Sequence, residues 1–553
     1  MYTTPQDRIA KWVEQGFWGD KTLCDHLALQ VEARPHQLAV IDQTNRGEFA
    51  AGNTLRLTYA ELDATSDAMA LDFIDRGLCH GQRVMVQMPN VVELVVCYFA
   101  LSKLGIVASP LPVQYQAHEI ASLSNVFGTE WFVGFSDFKG TNLASHGSVA
   151  VASDRIITVG TDIRVRSPSG LSGAEATRLA AYRAAHPADA NAIFTVCWTS
   201  GTTGTPKGVP RSHNMWLASG NATAAGLGFS AGDVLLNPFP MVNMSALGGF
   251  LFPATTTGCT LVLHHPLEVP VFLQQIQQES VCFTIAPPAL LNRLAKMPEL
   301  WRSFDFPHLR AIGSGSAPLS PDMIRTFELD YGVSVYNIYG SNEGIALITS
   351  PEVVPAPEQR AVMFPGSTTT GEGRPLTSHS LLMTKVVDPE TAMELTTPGA
   401  EGELCVSGPT VFDGYLGLDN GSVFTSNGFL RTGDLVEIAG EGAEFYRITG
   451  RLKDIINRGG MKISPAELDS LLESYPGVAE VAVCAYADAD LGERVAACIV
   501  MQEGVTELTL TELQGFLRDQ GVAKFKWPEQ LRFMPALPRN PLGKVLRHEL
   551  LVQ

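Results

Sequence analysis

WTSGTTGTPKG, residues 198–208, is the stretch from which the rest of the chain can be read. Thr199, Ser200, Thr202, Thr203 and Thr205 supply hydroxyls, Gly201, Gly204 and Gly208 supply backbone freedom, and Lys207 supplies a mobile positive charge. Glycine lets backbone N–H groups approach an anion closely, and hydroxyls and an ammonium complete a donor set suited to phosphate. The apolar run 193–198 just before it reads as a buried strand. A Walker A loop requires GxxxxGK[ST]; here Pro206 occupies the place of the second glycine and Gly208 follows the lysine, so that reading fails. The remaining alternative is a plain Ser/Thr/Gly connector.

At roughly 150 residues per domain, the length of 553 residues implies several domains or lobes. A composition of 45% hydrophobic and 17% charged residues is that of a globular protein. The formal charge of −18 argues against a nucleic-acid partner. Nine cysteines, scattered without a CxxC pair, read as reduced thiols of a cytoplasmic protein, with neither disulfide nor structural zinc. The N-terminal MYTTPQDRIAKWVEQGFW lacks the apolar core of a signal peptide. The most apolar run, 91–101, is interrupted by Glu93 and closed by Lys103, so no membrane span is expected.

Taken in order, 58–76 reads as a helix ended by Gly77, 83–88 as a strand, 91–104 as a buried helix and 106–113 as a second strand, the alternation of a parallel α/β sheet. Residues 135–187 are weakly patterned and expected to be peripheral. Beyond the loop, 260–264, 269–278, 282–286 and 289–296 continue the alternation. From 401, short strands with glycine turns predict a small β-rich lobe, and 451–553 is the right size for a second domain with helices at 465–475 and 510–520 and a strand at 479–486.

Five further motifs carry chemistry. YNIYGSNEG, 336–344, reads as a strand entering a turn, where Tyr339 offers an aromatic face to a purine and Glu343 a hard oxygen to a cation. Taken alone, they read as a core aromatic and a solvated charge. GSGSAPL, 313–319, is a small-residue turn. RTGDL, 431–435, carries Asp434, one carboxylate able to accept from both hydroxyls of a cis diol. GRLKDIINRGGMKISP, 450–465, carries Arg451, Lys453 and the pair Gly459 and Gly460, whose backbone another group can approach closely. PRNPLGKVLR, 538–547, carries Lys544 on a glycine-containing loop; on composition alone it is a solvated lysine.

These motifs, in this order and over essentially the whole chain, resemble those of the adenylate-forming superfamily: acyl-CoA synthetases, aryl-acid AMP ligases, peptide synthetase adenylation domains and luciferases. The resemblance implies an α/β fold with a large N-terminal region of layered α/β sheets plus a small β-rich lobe (1–450), followed by a small mobile α+β C-terminal domain (451–553) hinged near Lys453. It gives the phosphates of ATP to Thr199, Ser200, Gly201, Thr202, Thr203, Gly204 and Lys207, and the adenine region to Gly315, Ser316, Ala317, Asn337, Tyr339 and Gly340. Mg2+ goes to Glu343 and the ribose to Asp434 and Arg451. Asn342 stands where most of the superfamily has threonine, so a hydroxyl contact to phosphate is either lost or replaced by an amide. Lys544 matches the lysine that bridges the acid carboxylate and the α-phosphate, where two anions must meet and charge develops at phosphorus. Gly460 matches the passage of the thiol arm, and Lys526 in KFKWP matches a recurrent position without assigned chemistry.

The opening QGFWGDKTL, the run VPRSHN, GRLKDIINRGGMKI and RDQGVAKFKWP are nearest in detail to the branch of aryl-acid AMP ligases and alicyclic or aryl CoA ligases. The acid pocket departs from that branch. PMVNM has Asn243 where many relatives have histidine, and Met244 where hydroxybenzoate enzymes place an asparagine that reads a ring hydroxyl. With Leu247 and Gly313, this makes a mainly apolar pocket, in which an unpartnered hydroxyl would cost roughly 1 to 3 kcal/mol. The expected function is therefore ATP-dependent activation of a medium-chain, alicyclic or simple aromatic carboxylate as acyl-AMP, then thioester formation with CoA, by a monomer or homodimer. The alternatives are a stand-alone aryl-acid AMP ligase loading a phosphopantetheinyl carrier protein, a luciferase-like oxidoreductase, and a nucleotide-binding pseudoenzyme prompted by Asn243 and Asn342.

Overall fold

The computed structural model describes residues 4–165, 170–199, 206–315, 319–366, 381–458, 461–488, 491–520, 522–540 and 543–551. The chain divides into two compact units, residues 1–383 with 406–430, and residues 384–405 with 431–553. The β-rich segments after 401 thus cluster mainly with the C-terminal residues.

Helix Tyr59–Asp75 shows why the first unit forms where it does. The Thr58 hydroxyl accepts from Glu61 N and the Glu61 carboxylate accepts from Thr58 N, closing a capping box, and Gly77 at φ +89° turns the chain away. Helix Val92–Leu104 is buried on every side, Lys103 included. That ammonium donates to Asp63 Oδ1, Asp67 Oδ1 (both 2.6 Å) and the Asp63 carbonyl (2.9 Å), so all three of its protons are satisfied.

Around these helices lie two sheets. One runs in the order Ile156–Val159, Trp131–Phe135, Arg83–Gln87, Val107–Pro110, Ile193–Thr199, Lys207–Ser212; its pairs are parallel except the last. The other runs Ile345–Thr349, Ser334–Ser341, Ala311–Gly315, Phe283–Ile285, Val234–Asn237, Thr260–Leu263, Leu38–Ile41, Arg56–Thr58, with parallel interior pairs and an antiparallel pair at each edge. The predicted α/β alternation is therefore present, as a mixed α/β fold. Residues 135–187 depart from expectation. They supply the edge strand Ile156–Val159 and the helix Gly173–Ala185, and Val159, Ile157 and Ile163 are core residues. Short 3-10 turns at Leu143–Val149 and Ser153–Arg155 break the periodicity that would have announced them.

In the second unit, strands Phe445–Arg451, Leu430–Ala439, Glu401–Ser407, Met383–Val387 and Glu394–Leu395 lie side by side in that order. A further sheet of Met461–Ile463, Ile456–Arg458, Gly492–Met501 and Val478–Asp488, with Gln530–Phe533 added alongside Gly492–Met501, packs against helices Pro465–Leu472 and Leu510–Asp519. Ile456, Leu468, Leu472, Val483, Ile499, Leu513 and Leu517 form their common core.

Candidate active site

The described ends of the signature stretch lie in two paired strands, referred to below as the hairpin. Strands Ile193–Thr199 and Lys207–Ser212 pair antiparallel, with Thr199 opposite Lys207 and Trp198 opposite Gly208. Ser200, Gly201, Thr202, Thr203 and Gly204 lie outside the described residues. Pro210 is tolerated within a strand because that strand is the sheet edge. A Cβ at Gly208 would meet Val196 Cγ1 at 3.0 Å and Leu416 Cβ at 3.2 Å, so glycine is needed for the second strand to lie this close.

Two other segments converge on the hairpin. The turn joining Ser334–Ser341 to Ile345–Thr349 presents Asn342 and Glu343, and Gly344 closes it at φ +106°, where a Cβ would stand 1.9 Å from the Thr410 carbonyl. The segment 410–416 binds both partners. Thr410 Oγ1 donates to the Gly344 carbonyl (2.7 Å), Phe412 N to the Glu343 carbonyl (2.8 Å), and Leu416 N to the Gly208 carbonyl (2.9 Å). Tyr415 Oη then donates to Glu343 Oε1 at 2.7 Å, and its ring centroid lies 4.7 Å from Lys207 Nζ. The Asn342 amide is engaged at both ends: Nδ2 donates to the Trp198 carbonyl (3.1 Å) and Oδ1 accepts from Met244 N (2.8 Å).

Beneath this turn lies Arg211, fully buried, donating to the Asn342 carbonyl (3.1 Å), the Met215 carbonyl (3.0 Å) and Ser219 Oγ (2.7 Å), and stacked 4.3 Å over the Trp216 ring. Burial pushes its guanidinium down to about 10, with the nearby Glu343 charge opposing. Among the described residues no carboxylate pairs with it.

On the purine side, Asn337 is buried and its Nδ2 donates to the carbonyls of Arg360 (2.9 Å) and Ala361 (2.8 Å), so its oxygen is the end left to accept. Tyr339 is half-buried with its ring 5.8 Å from that of Phe364, and Gly340 is exposed. Gly315 has no room for a side chain, since a Cβ would meet the Ile338 carbonyl at 1.9 Å, and Gly313 faces Ile338 Cδ1 at 2.7 Å and Phe283 at 3.1 Å in the same sense. Ser316 and Ala317 fall outside the described residues. Of the acid-pocket candidates, Asn243 is half-buried and takes Ala246 N on its Oδ1 (3.4 Å), Met244 keeps 8% exposure, and Leu247 keeps none and packs in the core.

The second unit gathers the remaining candidates. Asp434 and Arg451 are cross-strand partners, with Arg451 Nε 2.6 Å from Asp434 Oδ1. Lys544 sits on a tight turn fastened by Asn540, whose Oδ1 accepts from Lys544 N and whose N donates to the Lys544 carbonyl, both at 2.9 Å. It remains exposed, yet its pKa is lowered. Displaced water is the first cause and the Arg451 charge the next, with Asp434 and Asp454 pulling the other way, so these groups share one electrostatic neighbourhood. Lys453 is exposed on the turn after Phe445–Arg451. Gly460 lies outside the described residues.

The family model of the AMP-binding enzyme matches residues 27–416, and that of the AMP-binding enzyme C-terminal domain matches residues 467–544. The chain belongs to the AMP-binding enzyme family. Among the relatives of this AMP-binding enzyme, a salicyl-AMP ligase / salicyl-S-ArCP synthetase of Mycobacterium tuberculosis is 30% identical over 99% of this chain and 94% of its own. A medium-chain fatty-acid–CoA ligase of Escherichia coli is 30% identical over 98% of this chain and 92% of its own. Among solved structures, o-succinylbenzoate coenzyme A synthetase from Bacillus subtilis, in complex with ATP and magnesium ion, superposes with a TM-score of 0.76 at 25% identity, covering 96% of this chain and all of that one. The protein is thus an adenylate-forming, AMP-producing ligase. No helix among the described residues is long and apolar enough to cross a membrane.

Sequence reasoning passed over two residues of this AMP-binding enzyme. Arg211 was visible as one of two charges in the strand KGVPRS, and a buried arginine must have acceptors waiting. Tyr415 gave no local signal, because its significance rests on Lys207 and Glu343, remote in sequence and adjacent only after folding.

Proposed function

We propose that this ligase activates a largely apolar carboxylic acid, medium-chain, alicyclic or simple aromatic, and transfers the acyl group to CoA. The observation that carries the choice of acid is the apolar setting of Met244, which shares one core cluster with Leu247 and Phe250. The Asn342 amide is occupied by two backbone groups, and Asn243 Oδ1 receives Ala246 N. A ring hydroxyl left unpartnered against Met244 would cost roughly 1 to 3 kcal/mol.

In the first step, a carboxylate oxygen of the acid attacks the α-phosphorus of ATP and pyrophosphate departs, leaving acyl-AMP. Lys207 and the hairpin hydroxyls offset charge on the phosphates, and Lys544 draws the two anions together. Asn337 accepts from the adenine amino group, Tyr339 covers the ring, and Asp434 takes the ribose hydroxyls with Arg451 holding its carboxylate. Glu343 fits a magnesium site. Tyr415 fixes one of its oxygens, leaving a carboxylate of the kind a hard cation prefers. Bound there, the ion would neutralise phosphate charge. In the second step, the CoA thiolate attacks the acyl carbonyl, the acyl–phosphate bond breaks and AMP leaves. Lys453 serves as the hinge between the two steps.

A second reading, transfer to a phosphopantetheinyl carrier protein, is favoured by the 30% identical salicyl-S-ArCP synthetase. Pyrophosphate release across a panel of carboxylates, followed by free CoA or a holo carrier protein, tests both. We expect turnover with acids lacking an ortho hydroxyl and acyl-CoA as product. Salicylate preferred over benzoate sinks the choice of acid, and turnover only with the carrier sinks the choice of thiol.

A further inference from the structure

We propose that Tyr415 is a positioning residue that holds Lys207 and Glu343 apart and keeps each available to a magnesium–triphosphate, an inference that rests on the phosphate and metal roles proposed above. The ring and the hydroxyl of this one side chain engage opposite charges. Lys207 Nζ sits 4.7 Å from the ring centroid, and Glu343 Oε1 accepts the phenolic hydrogen at 2.7 Å. Two flexible charges within reach of the same ring gain by pairing with each other, and an ion pair of that kind would withdraw both from an incoming ligand. Yet neither has an ion-pair partner among the described residues. The cation is satisfied by the π face and the carboxylate by the hydroxyl, interactions strong enough to prevent that collapse and weak enough to give way to phosphate and Mg2+.

Tyr415 can do this because it is itself immobilised. Its N donates to Asn420 Oδ1 (2.8 Å), its carbonyl accepts from Asn420 Nδ2 (3.2 Å), and its ring meets Phe412 edge-on at 4.8 Å. The residues on either side bind the two groups it serves, Leu416 through the carbonyl of Gly208 next to Lys207, and Phe412 through the carbonyl of Glu343. The ring is therefore locked to the hairpin and the turn at once and cannot follow either charge away.

The test is ATP binding by equilibrium dialysis of the full-length protein, in EDTA and across a magnesium titration. Tyr415→Phe removes only the hydroxyl. We expect ATP affinity in EDTA to be unchanged and the magnesium concentration giving half the metal-dependent tightening to rise about tenfold, as when the partner orienting a metal ligand is lost. Tyr415→Leu also removes the π face and should weaken ATP binding in EDTA by about threefold. A magnesium midpoint for Tyr415→Phe equal to that of the unmodified protein overturns the inference. So does a loss of affinity equal in EDTA and in magnesium, which marks a structural defect. An unmodified protein that binds no Mg-ATP overturns this inference and the proposed function together. If Tyr415→Leu fails to fold, Tyr415→Phe, smaller by one oxygen, decides the matter alone.

Discussion

Asn342 joins two parts of the first unit, the carbonyl of Trp198 before the hairpin loop and the N–H of Met244 in the proposed acid pocket. Threonine, which most of the superfamily has at this position, carries one oxygen on a shorter stem and cannot span both. Asn342→Thr should therefore release Met244 N, raising KM for the acid by about 5- to 30-fold, the equivalent of one or two hydrogen bonds at ~1 kcal/mol each, with a smaller effect on ATP. Steady-state kinetics with each substrate varied in turn decides it. A rise confined to the ATP term would instead assign Asn342 a direct phosphate contact, one of the two outcomes left open by the sequence. Arg211 supports the arrangement from below through the Asn342 carbonyl. A charge buried without a carboxylate is tolerated there because three acceptors and the Trp216 face replace most of its water, with Nε left without a partner among the described residues.

At the scale of elements, strand Thr260–Leu263 is locked to helix Val269–Gln278 by His264. Its Nδ1 lies 2.6 Å from Gln275 Oε1, and its Nε2 accepts from Glu268 N at 3.1 Å, a pattern that only the neutral ring satisfies. Burial pushes its pKa down to about 4, against the Gln275 bond, and that of His213, stacked on Phe194, down to about 3. A base whose folded pKa is depressed contributes stability that is full above the unfolded value near 6.5 and lost as pH falls toward the folded one, each group adding a slope of about 1.4 kcal/mol per pH unit in that window. Denaturant midpoints of the full-length protein should therefore fall steeply between pH 6.5 and 4, and His264→Gln should flatten that fall while lowering the midpoint at pH 8. Parallel curves for the two proteins would refute the assignment. Such elements also show what the sequence disclosed. Helix Tyr59–Asp75 was legible to the residue because Thr58, Glu61 and Gly77 mark its ends locally. Strand Lys207–Ser212 was not, because lysine, proline and arginine in six residues contradict strand statistics and are reconciled only by the sheet edge and the acceptors of Arg211. The same division runs through the candidate site. Lys207, Asn342 and Glu343 stood out as motif residues, and so did Asp434, Arg451 and Lys544. The clamp of 410–416 combines the Thr410 hydroxyl with two backbone hydrogen bonds, which any sequence can make and none announces.

For the whole molecule, the two family matches end at 416 and begin again at 467, and Lys453 lies in the interval on an exposed turn between Phe445–Arg451 and Ile456–Arg458. If one chain catalyses two steps with different groups, changes at Lys544 and Lys453 should divide the half-reactions in opposite senses. Lys544→Ala removes the cation proposed to join carboxylate and α-phosphate, and should slow pyrophosphate release by about 100- to 1,000-fold while sparing thioester formation from presynthesised acyl-AMP. Lys453→Pro fixes φ near −65° at the turn, and should leave pyrophosphate release nearly intact while slowing thioester formation by about tenfold, or ~1.4 kcal/mol in the barrier. Single-turnover assays of the two steps, run separately on each variant, give four rates. The proposed division of labour requires the two variants to lose different steps. If both lose the same step, or each loses both alike, then a single arrangement serves adenylation and transfer, and Lys453 is an exposed charge on a turn.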